Sequence, residues 1–242
     1  MQTSMKTSQE ALRSTQRIKA ISFDLDDTLW AIGPVIGRAN RLLYDWLGAR
    51  YPRITQGHTV DSLHAQCLAF FHARDDLQHD LSSMRRAFLR TLAARAQYAD
   101  DFVEEAFALF YRARQEVEPY PEVDAVLTAL ARTHPLVALT NGNADIRQTP
   151  LARHFHLAVS SADVGAGKPD PAMFHRALAH LGLPGEALLH VGDRPDHDIV
   201  GARRVGAGAV WLNRHAAVWP DELPPPDHEI PDLRPLAGLL AG

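Results

Sequence analysis

Behind the apolar run Ala-Ile-Ser-Phe at positions 20–23 stand three carboxylates, Asp24, Asp26 and Asp27, followed by Thr28. Residues 18–23 are mostly apolar, with β-branched and aromatic side chains placed as in a short strand of a parallel sheet. Ionised groups at the end of such a strand are costly unless something positive meets them. Three further stations follow apolar strands. Thr140, Asn141 and Gly142 follow PLVAL, Lys168 and Pro169 follow LAVSSADVGAG, and Asp193 and Asp198 follow ALLHVG. Ligands of open parallel sheets bind beyond the carboxyl ends of the strands, so these groups are candidates for one crevice. Acids, a hydroxyl and a lysine together suit a divalent cation and a phosphate. Mg²⁺ takes oxygen ligands and uses one or two carboxylates with phosphate and water, and Asp24 and Asp193 are the natural pair. The Asp24 carboxylate can attack phosphorus, while Asp26 can protonate a leaving alcohol and then activate water. Thr140, Lys168 and the backbone N–H groups near Asn141 and Gly142 are candidates for binding phosphoryl oxygens.

The elements that must position these groups form a split pattern. Residues 35–114 show mainly helical periodicity, as in ANRLLYDWLGARY, DSLHAQCLAFFHARDDL and DDFVEEAFALFYRARQEV. From residue 120 onward short apolar strands alternate with helices: EVDAVLTALART (helix), PLVALTN (strand), LAVSSADV (strand), DPAMFHRALAHLGL (helix), EALLHVGD (strand), DIVGARRVG (helix) and AGAVWLN (strand). That alternation predicts an α/β fold, a Rossmann-like parallel sheet covered on both faces. The predicted core is 18–30 with 118–242, interrupted by an all-α insertion at 31–117. WPDELPPPDHEIPD reads as an extended surface connection, after which HEI and LRPLAGLL add a last strand and helix.

Composition narrows the partners. The 242 residues carry a formal net charge of −4 and no long basic run, which argues against nucleic acid and anionic membrane. One cysteine, Cys67, excludes an internal disulfide and fits a reducing compartment. No apolar run approaches the ~20 residues that span a bilayer, and the polar segment 1–17 lacks a signal-peptide core and reads as a disordered tail. A cytoplasmic protein, monomer or homodimer, is expected.

The motifs DLDDTL, LTN, KPDPAMF and VGDRPDHDIVGA together resemble the four motifs of the haloacid dehalogenase-like hydrolase superfamily. The resemblance covers residues 18–30 and about 118–240, and the insertion is similar to the superfamily's helical cap. It implies a nucleophile at Asp24, an acid/base at Asp26, phosphate contacts at Thr140 and Lys168, and a metal ligand at Asp193. It also implies that Asp26 joins the metal shell through its backbone carbonyl, with Asp198 as a supporting ligand. Dehalogenases of the superfamily lack the second acid, so Asp26 implies phosphoryl transfer, by a phosphatase or a phosphomutase. A binding module without chemistry would not need Asp24. PVIGRANRLLYDWLGARYP, LTNGNADI and LHVGDRPDHDIVGA further resemble the phosphatases acting on flavin mononucleotide and its riboflavin precursor, 5-amino-6-(5-phosphoribitylamino)uracil. The expected substrate is thus a small phosphorylated metabolite.

Other polar residues have structural readings. Asp27 is expected to cap the next segment or pair with a basic residue, and Thr28 to brace the loop by hydrogen bonding. Asp198 could be the N-cap of DIVGARRVG as well as a ligand. His190, inside a strand, is expected to be a satisfied core residue, His154 and His156 to take surface or packing roles, and Cys67 to pack. Gly33 and Pro34, with Pro119 and Pro121, mark candidate hinges at 30–34 and 118–121.

Overall fold

Runs such as Leu136–Thr140 and Leu188–Gly192 are buried along their whole length, which only a sheet covered on both faces allows. The computed structural model describes residues 18–74 and 77–241. The tail expected at 1–17 lies outside the described residues. The first strand, β1, is Ala20–Phe23. Among the described residues five α-helices follow: α1 Ile32–Arg50, α2 Pro52–Thr55, α3 Val60–His72, α4 Leu81–Arg95 and α5 Val103–Gln115. The chain then forms α6 Val123–Leu130, β2 Leu136–Thr140, β3 Phe155–Ser160, α7 Ser161–Val164 and α8 Ala172–Leu181. It ends with β4 Leu188–Gly192, a π-helical turn at Pro195–Ile199, α9 Val200–Arg204, β5 Gly208–Leu212, β6 His228–Ile230 and α10 Leu236–Ala241.

The strands pair in parallel in the order β3-β2-β1-β4-β5-β6. Phe23 is in register with Ala138 on one side and Val191 on the other. The carboxyl ends of β2, β1 and β4 therefore lie side by side, and the residues after them share one edge. Alternation sends Ile21, Phe23, Ala138 and Val191 to one face, against Val123 and Leu127 of α6. Ala20, Val137, Leu139 and Leu188 go to the other, against Phe174 and Ala177 of α8.

The helices between β1 and β2 have an apolar core of their own, including Leu43, Leu47, Cys67, Phe88, Leu89, Phe107 and Phe110. Local signals explain their ends. Thr59 and Ser62 form a reciprocal capping box at α3, and the Asp80 carboxylate accepts the Ser83 amide at α4. Glu104 and Glu105 in the first turn of α5, with Arg112 and Arg114 in its last, complement the helix dipole.

Three local expectations are corrected. Gly33 and Pro34 lie in the first turn of α1 rather than in a free hinge, because proline is tolerated where helix N–H groups have no partner. The strand expected at LAVSSADV is displaced to Phe155–Ser160. At Ser160 the Asp163 carboxylate accepts the backbone amide and the hydroxyl, which starts α7 instead. Asp198 is not an N-cap: it sits inside the π-helical turn.

Candidate active site

The first β-strand delivers Asp24 to the sheet edge, and the chain turns immediately. Asp27 takes a positive φ of 58°, and its carboxylate accepts the Ile32 amide, capping α1 as expected. Thr28 is fully buried and donates to Asp193 Oδ1 at 3.1 Å, so the brace it supplies reaches across to the end of β4. Arg214 donates to the Thr28 carbonyl at 3.0 Å and pairs with Glu122 at 2.7 Å, tying this turn to the end of β5.

Lys168 organises the anionic centre. Its buried ammonium lies 2.6 Å from Asp24 Oδ1 and 2.6 Å from Asp198 Oδ1, and donates to the Leu139 carbonyl at 2.7 Å. Burial alone would lower its pKa, but Asp198 and Asp24 outweigh that and raise it, so it stays charged. For Asp198 burial would raise the pKa, yet Lys168 and His190 hold it below the ordinary carboxylate value. Asp24 is pushed well up, chiefly by burial and against the pull of Lys168, with Asp198 and Asp193 adding repulsion. Asp193 is raised to about 7 by burial and by Asp198. Oxygens of Asp24, Asp193 and Asp198 lie within 4.8 Å of one another. Three carboxylates thus face one ammonium.

His190 is the satisfied core residue expected, but its partners matter. Burial keeps the ring neutral, and Nε2 stands 3.2 Å from Asp198 Oδ1. A carboxylate only accepts, so Nε2 carries the proton and Nδ1 accepts the Ser22 hydroxyl at 2.8 Å. Asp198 Oδ2 accepts the Arg194 amide at 3.0 Å. A Cβ on Gly192 would lie 2.3 Å from the Asp198 carboxyl carbon, so only glycine leaves room for that side chain. Neither Ser22 nor Gly192 was legible as a site residue. The signal available was a polar and a glycine position in otherwise apolar strands.

Thr140 and Gly142 stand at the end of β2, where Thr140 Oγ1 accepts the Gly142 amide at 2.9 Å. The Asn141 side chain brackets Lys168, donating to its carbonyl at 2.9 Å and accepting its amide at 2.7 Å. The Asn141 side chain and the Gly142 amide are therefore engaged within the protein. Asp26 turns away from the acid cluster. Its carboxylate accepts from Arg114 Nη2 at 2.7 and 2.5 Å and from the Trp30 indole at 2.9 Å. Arg114, from α5, was not anticipated, because nothing in a helical arginine at a dipole-favourable position distinguishes it from a surface cation. Two cavities flank the centre. One of about 210 Å³ is lined by Thr140, Gly142, Asn143 and Ser160 with Ser82 and Tyr111 of the helical insertion. The other, about 230 Å³, borders Asp27, Asp193, Trp211 and Arg214.

The parallel sheet thus gathers acids, a hydroxyl and a lysine at its carboxyl edge, with helices inserted after the first strand, in a Rossmann-like α/β architecture. The family model described as haloacid dehalogenase-like hydrolase matches residues 18–206. The chain belongs to the haloacid dehalogenase-like hydrolase family, and phosphatases stand among its relatives. It is 31% identical over 205 residues to the 5-amino-6-(5-phospho-D-ribitylamino)uracil phosphatase YigB of Escherichia coli, covering 83% of this chain and 85% of that one. It is 38% identical over 157 residues to the phosphoserine phosphatase of Thermus thermophilus, covering 62% of this chain and 60% of the relative. A solved structure described as a 2-haloacid dehalogenase from Pseudomonas syringae matches with a TM-score of 0.84 at 38% identity, covering 93% of this chain and 98% of that one. No described helix is long and apolar enough to cross a membrane.

Proposed function

We propose that the chain is a Mg²⁺-dependent phosphomonoesterase that hydrolyses a small phosphorylated metabolite through an aspartyl-phosphate at Asp24. The observation that carries this reading is the pair Asp24 and Asp26, two acids from one turn with different surroundings. Asp24 sits among Lys168, Asp193 and Asp198, while Asp26 is held apart by Arg114 and Trp30. A nucleophile and a separate acid/base are what ester hydrolysis needs.

The donor set fits the metal. Oxygens from three carboxylates converge, and with all three ionised one ammonium would offset one charge and leave two for a divalent cation to balance. Asp24 and Asp193 would hold it, with the Asp26 backbone carbonyl, while Asp198 would support the site through Lys168. Bound there, Mg²⁺ would reduce the repulsion between the Asp24 carboxylate and an anionic phosphate. Asp24 attacks phosphorus, the P–O bond to the alcohol breaks, and the leaving oxygen takes a proton from Asp26. Water then attacks the acyl phosphate, returns a proton to Asp26 and frees Asp24 and phosphate. Lys168 and the Thr140 hydroxyl neutralise charge on the phosphoryl oxygens. Asn141 keeps Lys168 in place, and Gly142, without a Cβ, leaves room for the Asp26 carboxylate.

The helical segment 31–117 serves as the cap, and the 210 Å³ cavity, with Tyr111 and Ser82 at its wall, receives the leaving group. Its polar lining suits a hydroxylated group such as a ribityl chain. Together with the likeness to YigB, this favours 5-amino-6-(5-phosphoribitylamino)uracil or flavin mononucleotide as substrate. The second reading is dehalogenation, favoured by the Pseudomonas syringae structure. Asp26 argues against it, since halide leaves without an acid. The test is kcat/KM for those two flavin-related esters against phosphoserine, sugar phosphates and nucleotides, with halide release from a 2-haloacid measured in parallel. Preference for the ribityl esters is expected. Preference for another class sinks the substrate assignment, and halide release without phosphate release sinks the phosphatase reading.

A further inference from the structure

Resting on the phosphomonoesterase reading, we infer that Arg114 is the positioning residue for the Asp26 carboxylate, so that the insertion sets the geometry of proton transfer in the core. Arg114 stands in the last turn of α5 and its side chain is 1% exposed. One nitrogen, Nη2, reaches both oxygens of Asp26, at 2.7 and 2.5 Å, and the Trp30 indole reaches Oδ1 at 2.9 Å. Three donor contacts from two sides leave the carboxylate one orientation. Gly142 is part of the same fit: a Cβ there would lie 2.7 Å from Asp26 Oδ2 and 3.5 Å from Arg114 Nη2. The neighbouring residue extends the clamp, since Gln115 Oε1 accepts the Asp145 amide at 2.7 Å and its amide group donates to the Asn143 carbonyl at 3.4 Å. Consecutive residues of the insertion thus hold both Asp26 and the loop that follows Thr140.

Burying a guanidinium is costly, and Arg114 Nη1 has no hydrogen-bond partner among the described residues. The polar contacts that offset this cost are those of Nη2 with the Asp26 carboxylate, as expected of a cation placed to hold that acid. In the first step Asp24 Oδ bonds to phosphorus, the bond to the leaving oxygen breaks, and that oxygen takes the Asp26 proton. Misplacing Asp26 therefore hurts esters whose alcohol is a poor leaving group. It hardly touches 4-nitrophenyl phosphate, whose phenolate leaves without a proton.

The test is a single-turnover measurement of alcohol release from an alkyl phosphate and from 4-nitrophenyl phosphate, for wild type, Arg114→Ala and Arg114→Lys. Arg114→Ala is expected to lose about 10²-fold on the alkyl ester and less than about threefold on the nitrophenyl ester. Arg114→Lys restores part of the alkyl-ester rate. If Arg114→Ala does not fold, Arg114→Lys carries the same comparison with a smaller selective loss. An equal loss on both esters, or no loss on either, overturns the inference while leaving the phosphatase reading intact. A wild type that releases neither alcohol overturns the reading and the inference with it.

Discussion

Asp193 shows the charge problem of the site most openly. Its carboxyl is raised to about 7, by burial first and Asp198 second, whereas an unfolded carboxylate titrates at about 3.9. Between those values the folded chain binds more protons than the unfolded one, so metal-free stability falls as pH rises through that window. Asp24 is raised too and adds in the same direction. Asp198 is lowered, so its contribution is complete above the ordinary carboxylate value and fades only in acid. In chelator, Asp193→Asn should therefore gain in melting temperature over wild type from about pH 5 to about pH 8, and excess Mg²⁺ should reverse that gain. A difference independent of pH would contradict the account. Gly192 makes a separate prediction. Gly192→Ala drives a methyl into the Asp198 carboxylate, and overpacking of this kind costs about 1–3 kcal/mol. Thermal melts should show that loss together with reduced turnover, and an unchanged melt with full activity would contradict it.

At the scale of elements, the site depends on how strand ends are tied together. Asn141 joins the end of β2 to the loop carrying Lys168 by two hydrogen bonds. Asn141→Ala should cost about 1–3 kcal/mol, because two backbone groups of Lys168 lose their partners, and should lower kcat more than it raises KM. An unchanged kcat would show that Lys168 holds its place without the bracket. The strands and the acids, hydroxyl and lysine behind them were legible because buried parallel strands are short apolar runs and the polar residue ending each run stands out. Asp27, read as a cap of the next segment or a partner of a basic residue, accepts the Ile32 amide, and Thr28, read as a loop brace, donates to Asp193. The order of the strands was not legible, since it rests on pairings such as Ile21 with Leu136 and Leu189 that no local pattern encodes. Arg114 and Gly192 were hidden because their meaning lies in a partner distant in sequence or in a turn the sequence does not announce.

For the whole molecule, the helical insertion and the core meet at two crossings that are bonded to each other. Trp30 bridges Pro119, and the Tyr120 amide donates to the Leu29 carbonyl at 3.0 Å. Crossings paired in this way would act together as one joint in any opening of the insertion. If the insertion opens as a cap, the Tyr120 amide should exchange hydrogen faster than the amides of β1. Equal protection would contradict opening at this pair. The central claim, covalent catalysis by Asp24, is tested most directly by acid-quenching the enzyme during turnover of a radiolabelled phosphomonoester with Mg²⁺ and mapping the label. The account predicts label on the peptide containing Asp24, and neither label nor phosphate release from Asp24→Asn. Phosphate release by Asp24→Asn at the wild-type rate, or label on another residue, would contradict it.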